Sequence, residues 1–178
     1  MDKTKDSGSL DVGSIPAGST SASRRSSEEG SVQARGIVMK FEFSAGGIVY
    51  KKEGGKACVL VSQHSQHHGW VFPKGIIGDT KKDEGKEETA VREVKEETGV
   101  EARILEELPE TTYWYSFEGE KRKKTVYYYL MEYVSDDIAD HDDEMEAVEW
   151  LPIEKVATRL TYPSDKKVWE EAQKLIPS

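Results

Sequence analysis

Glu93, Glu96 and Glu97 stand within one short stretch, Arg92-Glu93-Val94-Lys95-Glu96-Glu97-Thr98-Gly99-Val100. On a helix advancing about 100° per residue their side chains project into one sector roughly 100° wide, and no basic residue falls inside it. Like charges three or four apart cost a helix roughly 0.2–0.5 kcal/mol per pair, so stability alone would have placed lysines among them. A hard divalent cation removes that cost. Mg²⁺, with Mn²⁺ as a substitute, takes a few carboxylates together with waters and phosphate oxygens. In such a site the cation orients or acidifies a water for attack on phosphorus, so the pattern points to hydrolysis of a phosphoanhydride.

The rest of the helix must hold those glutamates in place. Ala90, Val91, Val94 and Thr98 fall on the neighbouring sector and are expected to face a core, while Arg92 and Lys95 fall elsewhere. The spacing G-x5-E-x7-R-E-hydrophobic-x-E-E-x-G-hydrophobic, filled by Gly78, Glu84, Arg92, Glu93, Val94, Glu96, Glu97, Gly99 and Val100, resembles the box of the Nudix hydrolases. The resemblance implies Glu96 and Glu97 as metal ligands and Glu93 as a further ligand or the base that deprotonates water. It also implies Arg92 as the group that orients the carboxylates, with Glu84 in a structural role. A downstream acid often joins such sites from the loop before the last strand. Glu144 matches that position in relatives that cleave diadenosine polyphosphates, with Glu146 as second choice and a solvated acidic loop as the alternative. One departure stands out, because the glycine of Pro73-Lys74-Gly75 and the first box glycine are usually the same residue, whereas here Gly75 and Gly78 are distinct. Either Gly78 keeps the count or Gly75 keeps the turn and the loop is three residues longer. The backbone carbonyl that usually completes the metal shell then lies near Lys74 or near Ile77.

Substrate choice must come from outside the box. Tyr113, Tyr115 and Phe117 alternate, so a strand puts them on one face. Such a face can stack a purine at about 1–3 kcal/mol per base, or serve as core. Lys121, Arg122, Lys123 and Lys124 follow, either as a polyphosphate clamp or as a solvated hairpin turn. By resemblance, Tyr115 lies close to where a tyrosine marks relatives acting on dinucleoside polyphosphates, and Lys124-Thr125-Val126 with Tyr128 is similar to the phosphate-contacting strand of diadenosine tetraphosphate hydrolases, which makes Tyr115, Lys124 and Tyr128 substrate-binding candidates. Lys74 is a second phosphate candidate. In His64-Ser65-Gln66-His67-His68-Gly69-Trp70, His67 or His68 can serve beside the base or phosphate. A zinc site there lacks a cysteine or a fourth ligand at suitable spacing.

Composition bounds the rest. The 178 residues carry a net charge of -9, which argues against bulk binding to nucleic acid or anionic membranes. Cys58 is the single cysteine, set among apolar residues as a small buried hydrophobe, so the natural reading is a reducing, cytoplasmic setting. No run reaches the ~18 apolar residues of a membrane span, and the N-terminal stretch lacks the apolar core of a secretory signal. Residues 1–36 are rich in Ser and Gly, without aromatics, and are expected to be a disordered tail. Its Ser23–Glu29 segment, SRRSSEE, is a phosphorylation or docking candidate or a plain linker. Residues 37–178 are the expected Nudix domain.

Within it, alternation predicts a hairpin around Glu53-Gly54-Gly55-Lys56, a short strand at Trp70–Phe72 and a strand after the box. A second hairpin around Glu118-Gly119-Glu120-Lys121, an acidic loop over 135–146, a last strand and two helices follow. Ser164 is expected to cap the final helix, with Trp169 and Leu175 packing inward. The pattern predicts an α+β fold, and the resemblance implies the Nudix fold, a mixed sheet sandwiched between helices (α/β/α). The activity implied is Mg²⁺-dependent cleavage of a dinucleoside polyphosphate, diadenosine tetra- to hexaphosphate in type, or a related nucleotide. Diphosphoinositol polyphosphate, RNA 5′-pyrophosphate or damaged nucleotides are alternative substrates. A nucleotide sensor without turnover is the alternative class, against which the complete box argues.

Overall fold

The computed structural model describes residues 31–34, 37–136 and 144–177. Its elements run β1 (Ser31–Ala34), β2 (Ile37–Glu53), β3 (Lys56–His64), β4 (Trp70–Val71), β5 (Lys74–Ile76), α1 (Lys86–Thr98), β6 (Val100–Glu107), β7 (Thr111–Phe117), β8 (Glu120–Asp136), β9 (Met145–Pro152), α2 (Ile153–Arg159) and α3 (Pro163–Leu175). Strands β4-β3-β2-β8-β6 form the main path of one mixed sheet, with β1 and β5 on β2, β7 on β8 and β9 on β3. The β2–β8 pair is parallel and sets Glu42 beside Lys124 and Gly46 beside Tyr128. The other pairings are antiparallel.

Strand alternation divides the core. Ile48, Tyr50, Val126, Tyr128 and Leu130 pack on one face with Val156 of α2 and Val168, Trp169 and Ala172 of α3. Ala45, Val49, Tyr129 and Met131 pack on the other with Ala90 and Val94 of α1. The sheet is therefore sandwiched between α1 and the α2–α3 pair, as expected. Helix α1 ends where Gly99 takes the left-handed conformation (φ 69°) and its N–H bonds the Lys95 carbonyl at 2.8 Å, a stop that an L side chain would strain.

Several expectations change. Val91 is exposed rather than core, because the apolar stripe of α1 is only as wide as the sheet that covers it. Leu175 is likewise exposed, although Trp169 is buried. Helix α3 starts with Pro163 in its first turn and Tyr162 as N-cap, with no side-chain capping bond, so Ser164 is not the cap. Cys58 is half-buried. Ser31–Ala34, placed by the sequence in the tail, pair with Ile37–Lys40. Most of that tail, the SRRSSEE segment and the middle of the acidic loop lie outside the described residues, while Ser135 and Asp136 belong to β8.

Candidate active site

Two glycines bring the lysine-bearing turn to the acidic helix. A Cβ on Gly46 would stand 2.2 Å from the Pro73 carbonyl oxygen, and the Gly47 N–H donates to that oxygen at 3.1 Å. Strand β2 and the Pro73–Lys74 backbone therefore approach as closely as side-chain-free residues allow. From there Lys74–Ile76 pair with β2 as β5, an element the sequence reads only as a turn. The Lys74 N–H donates to Glu97 Oε2 at 3.2 Å. A Cβ on Gly75 would lie 2.0 Å from the Glu93 carboxyl carbon, so the absent side chain is the space Glu93 occupies. Gly78 is different, with φ 77° in an open turn where an added Cβ would find its nearest neighbour, the Lys81 carbonyl oxygen, 4.0 Å away. Gly75 therefore keeps the turn and the loop to Glu84 is the longer one.

Glu93 and Glu97 are buried, and Glu96 is exposed. Arg92 contradicts its assignment to another sector. Its Nη1 donates to Glu93 Oε1 at 2.6 Å and Glu96 Oε2 at 2.7 Å, its Nε and Nη2 grip Glu84 at 2.9 Å each, and Nη2 reaches Asp79 Oδ1 at 3.1 Å. The angular projection follows the Cβ, whereas a guanidinium several bonds further out swings back along the helix. Among the described residues no three His, Cys, Asp or Glu side chains converge on one cation position, and Arg92 lies between Glu93 and Glu96. Burial pushes the Glu93 carboxyl up to about 7 against the pull of Arg92, with Asp79 and Glu96 adding repulsion. Burial thus disfavours its charged form. Glu84 is held below the usual carboxylate range, chiefly by its bonds to Arg92.

Cross-strand register puts Tyr113 opposite Lys124, Tyr115 opposite Arg122 and Phe117 opposite Glu120. The three rings line one sheet face as expected, and Glu42 joins them through its parallel pairing with Lys124. Tyr115 is buried and its hydroxyl donates to Glu42, Tyr113 is half-buried, and Phe117 is exposed with the Arg122 guanidinium 4.8 Å from its ring centre. The basic run does not form a continuous clamp, because a strand sends its members to opposite faces. Arg122 pairs with Glu42 at 2.7 Å and Glu120 at 3.2 Å, while Lys123 lies 5.9 Å from the Trp114 ring on the other side. Lys124 is buried among Lys74, Glu42, Glu97 and Glu93. Burial and Lys74 together lower its proton affinity to about 8, against the pull of the carboxylates.

Tyr128 is a correction. Its ring belongs to the core and its hydroxyl donates to Asp165 Oδ1 at 2.9 Å, so it is turned to the α3 side of the sheet and bonded to that helix. The histidine loop also divides. His64 is buried and stacks on His67 with ring centres 4.2 Å apart. His67 Nδ1 accepts from the Gly69 N–H at 3.2 Å and the Tyr162 hydroxyl at 2.8 Å, and burial with the neighbouring His64 and Lys74 drives its pKa down to about 4. It is a neutral ring whose proton sits on Nε2. The more exposed His68 turns to Glu146 at 2.8 Å, and the Glu144 carbonyl accepts from the Ser65 N–H at 2.8 Å. The loop thus ties down the start of β9, with Glu144 and Glu146 both joined to it.

Glu42, Asp79, Asp165 and Tyr162 escape a reading of the sequence. Only Glu42 carries a local signal, a lone acid between Phe41 and Phe43 in a strand.

A sheet between helices, with an acidic helix face held against a lysine-bearing strand end, defines a hydrolase of phosphate anhydrides. Known proteins agree. A family model described as "NUDIX domain" matches residues 40–174, so the chain belongs to the Nudix family and is a Nudix pyrophosphohydrolase. It is 33% identical over 174 residues to a Mycobacterium tuberculosis (strain CDC 1551 / Oshkosh) protein provisionally named mutator protein MutT4, covering 93% of this chain and 67% of that protein. It is 30% identical over 112 residues to the asymmetrical bis(5′-nucleosyl)-tetraphosphatase of Rattus norvegicus, covering 62% of this chain and 74% of the relative. The crystal structure of a C. elegans Ap4A hydrolase binary complex shares the fold with a TM-score of 0.60 and 23% identity, covering 75% of this chain and 96% of that one. No described helix is long and apolar enough to cross a membrane.

Proposed function

We propose that the chain is a Mg²⁺-dependent hydrolase that cleaves a phosphoanhydride bond in a dinucleoside polyphosphate. The observation that carries the reading is the Glu97–Lys74 contact, which joins the carboxylate helix to a lysine whose charge is felt by a second, buried lysine, Lys124. Glu93, Glu96 and Glu97 supply hard oxygen donors, and a cation would offset the burial that disfavours the Glu93 carboxylate. Glu144 keeps its place as a candidate fourth ligand. When bound, the cation neutralises phosphate charge and lowers the pKa of an attacking water. A glutamate of the trio takes the proton as the water oxygen bonds to phosphorus, and the bridging P–O bond breaks with its electron pair going to the departing phosphate. Lys74 and Lys124 hold the phosphate oxygens as point charges. Phe117, backed by Arg122 and flanked by Tyr115, is the ring best placed to stack a base. Of the two histidine candidates, His67, a neutral ring within the field of Lys74, is the better placed beside the phosphate, since His68 turns to Glu146.

The rat tetraphosphatase supports the substrate class. The mutator relative supports a second reading, hydrolysis of a single damaged nucleoside triphosphate. Diphosphoinositol polyphosphates lose support, since the basic run that would favour them is divided between two faces. The deciding experiment is a product-resolved assay with Mg²⁺ over diadenosine tetra-, penta- and hexaphosphate, 8-oxo-dGTP, ADP-ribose and diphosphoinositol pentakisphosphate, with Glu97→Gln in parallel. Diadenosine polyphosphates are expected to be preferred and Glu97→Gln to abolish turnover. Preference for 8-oxo-dGTP would select the second reading, and full turnover by Glu97→Gln would remove the catalytic assignment.

A further inference from the structure

From Gly75, the glycine packed on Glu93, the segment to Glu84 is three residues longer than a G-x5-E spacing allows. The added length forms an exposed turn with left-handed residues at Gly78 (φ 77°) and Asp83 (φ 68°). It also brings in a carboxylate that the box pattern does not contain. Asp79 Oδ1 accepts the Thr80 N–H at 2.7 Å and Arg92 Nη2 at 3.1 Å. One guanidinium thus has Glu84 and Asp79 as anchors through Nε and Nη2, and Glu93 and Glu96 as partners through Nη1.

We propose that Asp79 is a positioning residue that sets, through Arg92, how readily Glu93 and Glu96 are released to a divalent cation. The inference rests on the metal reading given above. A guanidinium is a single delocalised charge in a rigid plane, so what binds Nη2 governs both where Nη1 points and how much charge it offers. With Asp79 in place the charge is shared among four carboxylates and the plane is held toward the loop. Without it, Arg92 leans on Glu93 and Glu96 more strongly, and a cation must displace a tighter partner.

The test is Mn²⁺ binding to the full-length, substrate-free protein, followed by electron paramagnetic resonance or calorimetry, beside the Mg²⁺ dependence of turnover. Asp79→Asn is expected to weaken Mn²⁺ binding roughly threefold, the size of one half-exposed ion pair, and to raise the Mg²⁺ concentration at half-maximal rate equally. The rate at saturating Mg²⁺ should be kept. Asp79→Glu should restore part of the affinity. Asp83→Asn, which removes the same charge from the same loop, should change neither quantity. Unaltered Mn²⁺ affinity in Asp79→Asn, or equal weakening in Asp83→Asn, would overturn the proposal. Failure of the wild-type protein to bind Mn²⁺ at all would instead remove the metal reading on which it stands.

Discussion

A buried ammonium is costly, and Lys124 carries one at the centre of the candidate site. Its proton affinity falls from the ordinary lysine value to about 8 through burial and the charge of Lys74, so the folded state binds its proton less tightly than the unfolded chain does. A depressed folded pKa means that stability is lost as pH falls from the unfolded lysine value toward about 8, is fully lost below about 8, and is recovered as pH rises back to the unfolded value. Lys124→Met keeps the aliphatic stem and removes the charge. At pH 7 it should stabilise the fold by an amount on the order of 3 kcal/mol, shrinking toward zero near pH 10, as read by denaturant melts across pH. The same variant should raise KM for a polyphosphate by about tenfold or more, the loss expected for one charged phosphate contact. A melting curve lower than wild type at pH 7 would show that the lysine is paired better than its surroundings indicate. The glutamates of this site are legible because their chemistry lies in helical spacing alone. The pairing of Glu42 with Lys124 is not, since it depends on the register of two parallel strands about eighty residues apart. The position of Arg92 is hidden for a different reason, as side-chain reach exceeds what an angular projection records.

At the scale of elements, strand alternation and the turn signals locate both hairpins and the final strand, and helical spacing locates α1. What they miss are pieces whose formation depends on a neighbour. Strand β5 is three residues long and contains a glycine, so nothing local distinguishes it from a turn. It exists because Gly46 lets Pro73 and Lys74 lie against β2. Pro163 starts α3 before the serine that resembles its cap. The two glycines of the β5–α1 region make this dependence testable. Gly75→Ala would drive a methyl group into the Glu93 carboxyl, so turnover should fall by about tenfold or more as Glu93 is displaced from near-attack geometry. Gly78→Ala has open space around it, but it must adopt φ 77°, which costs about 1 kcal/mol of stability and should leave turnover within about twofold. Thermal melts and steady-state kinetics on the two variants separate the readings. Reversed behaviour would return the box count to Gly78.

Across the whole molecule, the elements among the described residues run from Ser31 to Leu175, every candidate site residue lies within those bounds, and the family match spans residues 40–174. The sequence expectation of a domain beginning at residue 37 can therefore be set against a structure in which Ser31–Ala34 already pair with β2. These two boundaries predict different behaviour for two truncations. Removing residues 1–30 leaves each described strand with its partner, so melting temperature should hold and kcat/KM should stay within about twofold of the full chain. Removing residues 1–36 strips β1 from β2 and leaves the main-chain groups of Ile37–Lys40 open along one edge. An uncovered edge is a template for pairing with another chain. The shorter protein should sediment with a concentration-dependent, larger species and melt at a lower temperature, while its monomer keeps the chemistry, because none of the candidate site residues pairs with β1. Equal sedimentation of the two truncations would put the domain boundary at residue 37. Loss of turnover in the first would give residues 1–30 a part in the reaction that their composition does not suggest.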